Sequence, residues 1–328
     1  MRIAIPHGLT AEATRPRPGR PIRLSGPTMG VSWTLLANAP LAVSDAALTA
    51  AVQGAANLVV KQMSTWEPES DISRFNAAPA GAWVEAPDHL LRVIRAALVM
   101  AQASDGAFDP TLGEAVDLWG FGAWGAALEP PRPERLAAAV SGWRALEIEG
   151  GRMRQPGGLR LDLSGVAKGY GVDLAAQAVA GLGVRDFLIE IGGELRGSGV
   201  RGDGEPWWVD LEHPAEAHLE EPPLRIALTG ISVATSGDWR RQFIWNGRRY
   251  SHTINPVTRE PVRTRLAQVS VLHDSCMQAD AICTALQVMG DEAEAFATTK
   301  DIAACFLWRE ADRWRETLSP ALAALLDD

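Results

Sequence analysis

Asp280 and Thr284 stand four residues apart in the run Cys276 to Met289, whose apolar spacing predicts a helix. That spacing puts both side chains on one helix face. A carboxylate and a hydroxyl are hard oxygen donors, which suit magnesium better than zinc. Taken alone, the Thr could as well sit on a helix surface and the Asp serve a helix dipole. Lysine occurs only at Lys61, Lys168 and Lys300 in a chain that otherwise uses arginine. Lys168 lies in Leu161-Asp-Leu-Ser-Gly-Val-Ala-Lys-Gly-Tyr170, which reads as a strand exit, a Ser164-Gly165 turn and a helix start. Lysine is a compact point charge that fits a phosphate in a tight site. Small residues let a ligand approach the backbone, and a helix's first N–H groups face an anion. An ordinary strand-to-helix turn would look the same, and no Walker sequence GxxxxGK[ST] is present.

Three further positions could do chemistry. His252, in Arg249-Tyr-Ser-His-Thr-Ile-Asn-Pro256, could take a proton near neutral pH or could be a solvated loop histidine. Val233-Ala-Thr-Ser-Gly-Asp238 reads as a strand end whose hydroxyls either bind a ligand or close a turn. Trp66, on a polar loop, could stack on a flat ring or lie half-buried against the surface.

The elements that must position these residues alternate without a regular βαβ rhythm. Strands are expected at Val31–Ala37, Ala145–Glu149, Leu159–Leu163, Phe187–Ile191, Trp207–Leu211, Leu224–Leu228, Ser232–Ala234, Gln242–Trp245, Arg265–Leu272 and Ala303–Trp308. Helices are expected at Leu41–Met63, Leu90–Ala103, Pro110–Trp119, Glu134–Val140, Lys168–Leu182 and Cys276–Met289, and Glu67–Asn76 as a loop with at most one helical turn. This mixture predicts an α+β fold, mainly antiparallel sheet packed with helices. Residues 1–23 are expected as a flexible arm, 24–310 as one large domain with two lobes, and 311–328 as a helical tail.

The 328 residues carry a formal charge of −9, which argues against a nucleic-acid backbone as partner. No stretch of about 18 apolar residues is present, so no bilayer-spanning helix is expected. The three cysteines, Cys276, Cys283 and Cys305, cannot form a disulfide framework, and none sits in a CxxC pair, which disfavours structural zinc. The first residues are rich in Pro, Arg and Ala and lack the apolar run of a signal peptide. Cytoplasmic residence is therefore expected, with a periplasmic or membrane-anchored location if the N-terminus is incomplete.

In chain order these segments form a pattern. Thr28-Met-Gly30; Met63-Ser-Thr-Trp-Glu-Pro-Glu-Ser70 with Ser73-Arg-Phe-Asn76; Gly106-Ala-Phe-Asp-Pro-Thr111 with Leu118-Trp-Gly-Phe-Gly122; the Lys168 segment with Asp173; Ile191-Gly-Gly193; Ala234-Thr-Ser-Gly-Asp238; Tyr250-Ser-His-Thr-Ile254; and Ala279-Asp-Ala-Ile-Cys-Thr284 together resemble the ApbE family of FAD:protein FMN transferases. The resemblance implies a T-fold-like domain and a magnesium-dependent reaction that moves FMN from FAD to a Thr or Ser of an acceptor flavoprotein and releases AMP. It implies that Met29 and Trp66 hold the flavin end, and that Ala107, Phe108 and Asp109 contact FAD. Asp162, Lys168 and Ile254 would contact FAD as well. It further implies Asp280 and Thr284 as magnesium ligands, with the backbone at Gly165 and Cys283 as further ligands, and His252 as base for the acceptor hydroxyl.

This sequence departs from the family pattern at Asn255, where Asp is usual, at Arg259, where a turn glycine is common, and at Glu194, where Asp or Asn follows Gly-Gly. The first two keep alternatives open, namely an FAD pyrophosphatase that passes FMN to water, or a flavin-binding protein without turnover. No stretch of this chain resembles the family's acceptor sequence, so the acceptor is expected to be a separate protein.

Overall fold

The computed structural model describes residues 2–6, 9, 14–127, 129–311 and 313–326. Its centre is an eight-stranded sheet in which every neighbouring pair is antiparallel. The strands run in the order Trp314–Leu318, Ala303–Arg309, Leu266–His273, Ser232–Gly237, Glu194–Ser198, Phe187–Ile191, Val31–Ala39 and Arg20–Thr28. Seven helices are used below: α1 (Asp45–Met63), α2 (Asp71–Ala77), α3 (Asp88–Ala103), α4 (Gly113–Leu118), α5 (Pro133–Ala138), α6 (Ala167–Gly181) and α7 (Cys276–Met289). The expected α+β class with antiparallel sheet is what the chain adopts. No helix among the described residues is long and apolar enough to cross a membrane.

One sheet face carries the helices. Leu48 and Val52 of α1 and Val172, Ala175 and Val179 of α6 pack on Trp33, Leu35, Phe187 and Ile189. Ala279, Ile282 and Leu286 of α7 pack on Val269, Val271 and Phe306, with Leu90 and Ile94 of α3 behind them. Burying a side chain of this size stabilises by roughly 1.5–3 kcal/mol, so these rows fix where α6 and α7 lie. The opposite face is covered by a small sheet of Ile3–Ala4, Arg225–Ala227 and Trp208–Asp210.

Several expectations need correction. The arm assigned to residues 1–23 contains Ile3–Ala4, paired with Arg225–Ala227, and the start of the strand Arg20–Thr28, so the boundary at 23/24 falls inside a strand. That strand holds Pro21 and Pro27, which remove N–H donors and disguise it; an outermost strand tolerates them. The tail 311–328, expected as helix, is mainly the strand Trp314–Leu318, followed by one helical turn at Pro320–Ala323. Residues 312, 327 and 328 of that tail lie outside the described residues. Glu67–Asn76 ends in helix α2, capped by the Ser70 hydroxyl, which accepts from the Ser73 N–H. Leu159–Leu163 belongs to no sheet. One edge pairs with residues 110–113 through an isolated parallel bridge, Leu112 to Arg160, with the Gly113 and Asp162 N–H groups donating to the Arg160 and Pro110 carbonyls, and the Asn76 side chain donates to the Leu161 carbonyl at 2.9 Å and accepts the Leu161 N–H at 2.7 Å.

Candidate active site

Helices α6 and α7 meet near their N-termini, and each ends on an acid from the other. The Asp280 carboxylate of α7 accepts the Gly169 N–H in the first turn of α6 at 3.0 Å. Asp173 of α6 accepts the N–H groups of Cys276 and Met277 at 3.1 Å each, and the Ser275 hydroxyl at 2.7 Å. Negative charge at a helix N-terminus satisfies orphan donors and meets the favourable end of the dipole. The approach requires glycine at 169, because a Cβ there would lie 2.3 Å from the Cys276 carbonyl oxygen. Asp280 also opposes Lys168, the second residue of α6, so the two groups separated by 112 positions share one site.

Lys168 is held by a short ion pair to Glu194, which starts its sheet strand immediately after Gly192-Gly193. Burial opposes the ammonium's charge, but Glu194 and Asp280 together outweigh it and keep the lysine pKa above its ordinary value. Burial pushes Glu194 up to about 7, with Lys168 pulling the other way. Burial likewise raises Asp280 against the pull of Lys168. The second carboxylate oxygen of Glu194, Oε2, is buried with no hydrogen-bond partner. An orphaned carboxylate oxygen costs on the order of 1–3 kcal/mol or more, which marks a place suited to a cation.

The donors at the entry to α6 and on the facing side of α7 fit a small hard cation. The Thr284 hydroxyl stands 3.5 Å from the Gly165 carbonyl, and a Cβ on Gly165 would sit 2.7 Å from that hydroxyl. Carbonyl, hydroxyl and carboxylate oxygens are what magnesium prefers. No group of three or more His, Cys, Asp or Glu that could hold a metal is found among the described residues, so a cation here would rest largely on hydroxyl and carbonyl oxygens. The Cys283 thiol donates to the Ala234 carbonyl at 3.1 Å, and burial keeps it protonated, so only the backbone of Cys283 is left for a ligand role. All three cysteines are free and buried.

His252 follows directly on the strand Arg248–Ser251. Its Nδ1 lies 3.1 Å from the Arg241 carbonyl, which can only accept, so the proton is assigned to Nδ1 and the lone pair to Nε2. Burial, then the positive charge of Arg241, lowers its pKa to about 4. Lys168 and Asp238 also act on it electrostatically, which places the imidazole in the same neighbourhood.

The loop beyond His252 is closed despite its unusual residues. The Asn255 side-chain oxygen accepts the N–H groups of Val257 and Thr258, as a carboxylate would. Arg259 sits at φ +57, a conformation that favours glycine. Its guanidinium donates to Ser141 Oγ at 3.2 Å and to the Ala137 carbonyl at 3.1 Å, and its carbonyl accepts Trp119 Nε1 at 2.8 Å. Arg259→Ala should therefore be less stable than Arg259→Gly by about 1 kcal/mol, since both lose the guanidinium bonds but only alanine keeps the strain. Denaturant midpoints would measure this; equal midpoints would show that the backbone is unstrained.

The remaining expected site residues lie on turns and loops. Met29 forms the turn between the first two large-sheet strands (φ +48, with Gly30 at +70) and packs toward α6, its methyl 3.2 Å from where a Cβ on Gly171 would be. Ala107, Phe108 and Asp109 follow the left-handed Gly106 that ends the α3 turn. Phe108 is buried, and its N–H donates to Ser104 Oγ at 3.0 Å. Asp109 accepts from the Thr111 N–H at 2.8 Å, and burial raises its pKa. Asp162 accepts from the Ser164 N–H at 2.8 Å and shapes the entry to α6. Ile254 is buried among Trp119, Phe121 and Tyr250. Trp66 is 56% exposed beyond α1. The structure brings Lys168, Gly165, Asp280 and Thr284 together; Trp66 and Asp109 make no hydrogen bond or ion pair with them among the described residues. Asp173 and Glu194 are positioning residues whose partners sequence spacing does not reveal.

An ammonium facing hard oxygen donors is a set of groups that could meet a phosphate together with a small hard cation. A family model described as the ApbE family matches residues 29–306. The FAD:protein FMN transferase of Vibrio cholerae is 34% identical over 315 residues, 94% of this chain and 94% of that protein. That of Haemophilus influenzae is 31% identical over 296 residues, covering 87% and 86%. The apo crystal structure of the flavinyl transferase ApbE from Pseudomonas stutzeri superposes with a TM-score of 0.87 at 36% identity, covering 93% of this chain and 96% of that one. The chain belongs to the ApbE family.

Proposed function

We propose that this chain transfers FMN from FAD to a Thr or Ser hydroxyl of an acceptor flavoprotein, with magnesium, releasing AMP. The observation that carries the reading is the meeting of Lys168 with Asp280, Thr284 and the Gly165 carbonyl at the crossing of α6 and α7. Phosphoryl transfer needs positioning and charge neutralisation more than covalent help. Lys168 would hold the pyrophosphate, with Glu194 fixing the ammonium. Asp280, Thr284 and the carbonyls of Gly165 and Cys283 would hold magnesium, which when bound neutralises phosphate charge. The acceptor oxygen attacks the phosphorus of the FMN half, the bond to the AMP phosphate breaks, and the hydroxyl proton passes to Nε2 of His252.

Incubation with FAD, magnesium and a flavoprotein acceptor domain, read by mass spectrometry, tests this. Covalent FMN on the acceptor and free AMP are expected. Free FMN with AMP would instead make the chain a pyrophosphatase, and unchanged FAD a binding protein. Trp66→Ala should weaken FAD binding by about 1–3 kcal/mol if its exposed ring stacks on the flavin, as base–aromatic contacts do. A fluorescence titration that shows no change would leave the tryptophan structural.

A further inference from the structure

The hairpin that leads into His252 has a surface chemistry unlike the rest of the chain. Residues 239–265 contain seven arginines and one glutamate, a net of +6 in a protein whose total is −9. The strands Gln242–Trp245 and Arg248–Ser251 form an isolated two-stranded sheet. Its inner face is anchored: Phe243 stacks on Tyr250 at 5.1 Å, and Tyr250 on Trp119 at 5.3 Å. Its outer parts are not. Ile244 is 69% exposed, Trp245 37% and, in the following loop, Val257 90%. Trp245, Arg248, Tyr250, Arg259 and Arg263, with Trp119, line a cavity of about 500 Å³ against the proline-rich segment before α5.

The charges there are incompletely answered within the chain. Arg240, Arg263 and Arg265 pair with Glu212, Glu260 and Asp291, and Arg241 donates to the Phe121 carbonyl. Arg248 lies over the Tyr250 ring at 5.1 Å, and the exposed Arg249 makes no hydrogen bond or ion pair among the described residues. Arginine beside exposed aromatic and branched apolar side chains is the composition of a protein-binding surface rather than of a small-anion pocket. A free anion gains nothing from Ile244 or Val257. The chain as a whole is negative while this stretch is positive, so charge complementarity favours an acidic partner approaching here.

We infer that the hairpin 242–251 and the adjoining groove dock an acidic, apolar-anchored segment of the acceptor protein and so deliver its hydroxyl to His252. This rests on the transferase reading. The groove residue Tyr250 precedes His252 by two positions, about 7 Å of extended chain. The groove therefore adjoins the stretch of chain that carries His252.

The probe is a short fluorescent peptide of Asp, Glu and Leu around one Thr, titrated against the full chain without turnover. Binding that weakens with salt is expected, with a loss of about tenfold in Arg248→Glu/Arg249→Glu and for the Asn/Gln version of the peptide. FAD affinity should be unchanged in that variant. Absence of peptide binding, equal binding by the variant, displacement of the peptide by ADP, or self-association of the chain through this face would each overturn the inference. A chain that binds the peptide but flavinylates no acceptor would sink the transferase reading alone. Acceptor modified at the wild-type rate by the charge-reversed hairpin would sink the docking surface alone.

Discussion

Asp280→Asn is expected to reduce FMN transfer by about a thousandfold or more while leaving the fold nearly as stable. The asparagine oxygen can still accept the Gly169 N–H, which Asp280 takes at 3.0 Å, and the side-chain volume is unchanged. What is lost is the negative charge facing Lys168, and with it the only carboxylate among the ligands proposed for magnesium. Metal-assisted charge stabilisation is worth several kcal/mol, and each 1.36 kcal/mol is about tenfold in rate. Lys168 keeps Glu194 as its partner, so no buried charge is stranded. Single-turnover flavinylation of an acceptor, a magnesium titration and a thermal melt would measure the three quantities. A variant that transfers at the wild-type rate in the same magnesium range would remove Asp280 from the metal site. A variant that simply unfolds would show instead that its bond to α6 is structural.

His252→Ala is expected to slow transfer by about 10²–10⁴-fold, the usual worth of a positioned base, with FAD affinity unchanged. The pH profile is the sharper test. A base must be neutral to accept a proton, and burial, aided by Arg241, lowers this imidazole to about 4. The acid limb of kcat/KM should therefore lie near pH 4 rather than 6.5, with a plateau through neutral pH. Bound dinucleotide adds negative charge, so the limb of kcat should lie at higher pH. The same shift affects stability. The folded pKa is depressed below 6.5, so the unfolded chain binds the extra proton between pH 6.5 and 4, and stability falls as pH falls through that window. His252→Gln should flatten that slope in melting temperature. An unchanged slope, or equal losses of transfer and FAD binding in His252→Ala, would take His252 out of the base role.

How much of the site is legible in sequence follows from the range of the interactions. The Asp280–Thr284 spacing and the placement of Lys168 in a helix's first turn are local, and helical periodicity reveals them. The small residues of Asp162–Lys168 likewise announce a close approach, although the strand expected at Leu159–Leu163 is an extended segment held by Asn76, 85 positions from Leu161. Glu194 stands out in sequence only as a departure after Gly-Gly. Its role appears when the sheet carries it to Lys168, 26 positions away. Arg259 reads as a misfit in a glycine position until α5 supplies carbonyls to its guanidinium.

Residue order alone determined the class of fold, most of the elements and the set of side chains able to do chemistry, because those depend on patterns a few residues long. Packing decided the rest. The crossing of α6 and α7, made possible by Gly169 and sealed by Asp173 and Asp280 on opposite helix ends, brings an ammonium and hard oxygens 112 positions apart into one site. That meeting depends on which apolar faces find each other across the sheet, and no local spacing encodes it.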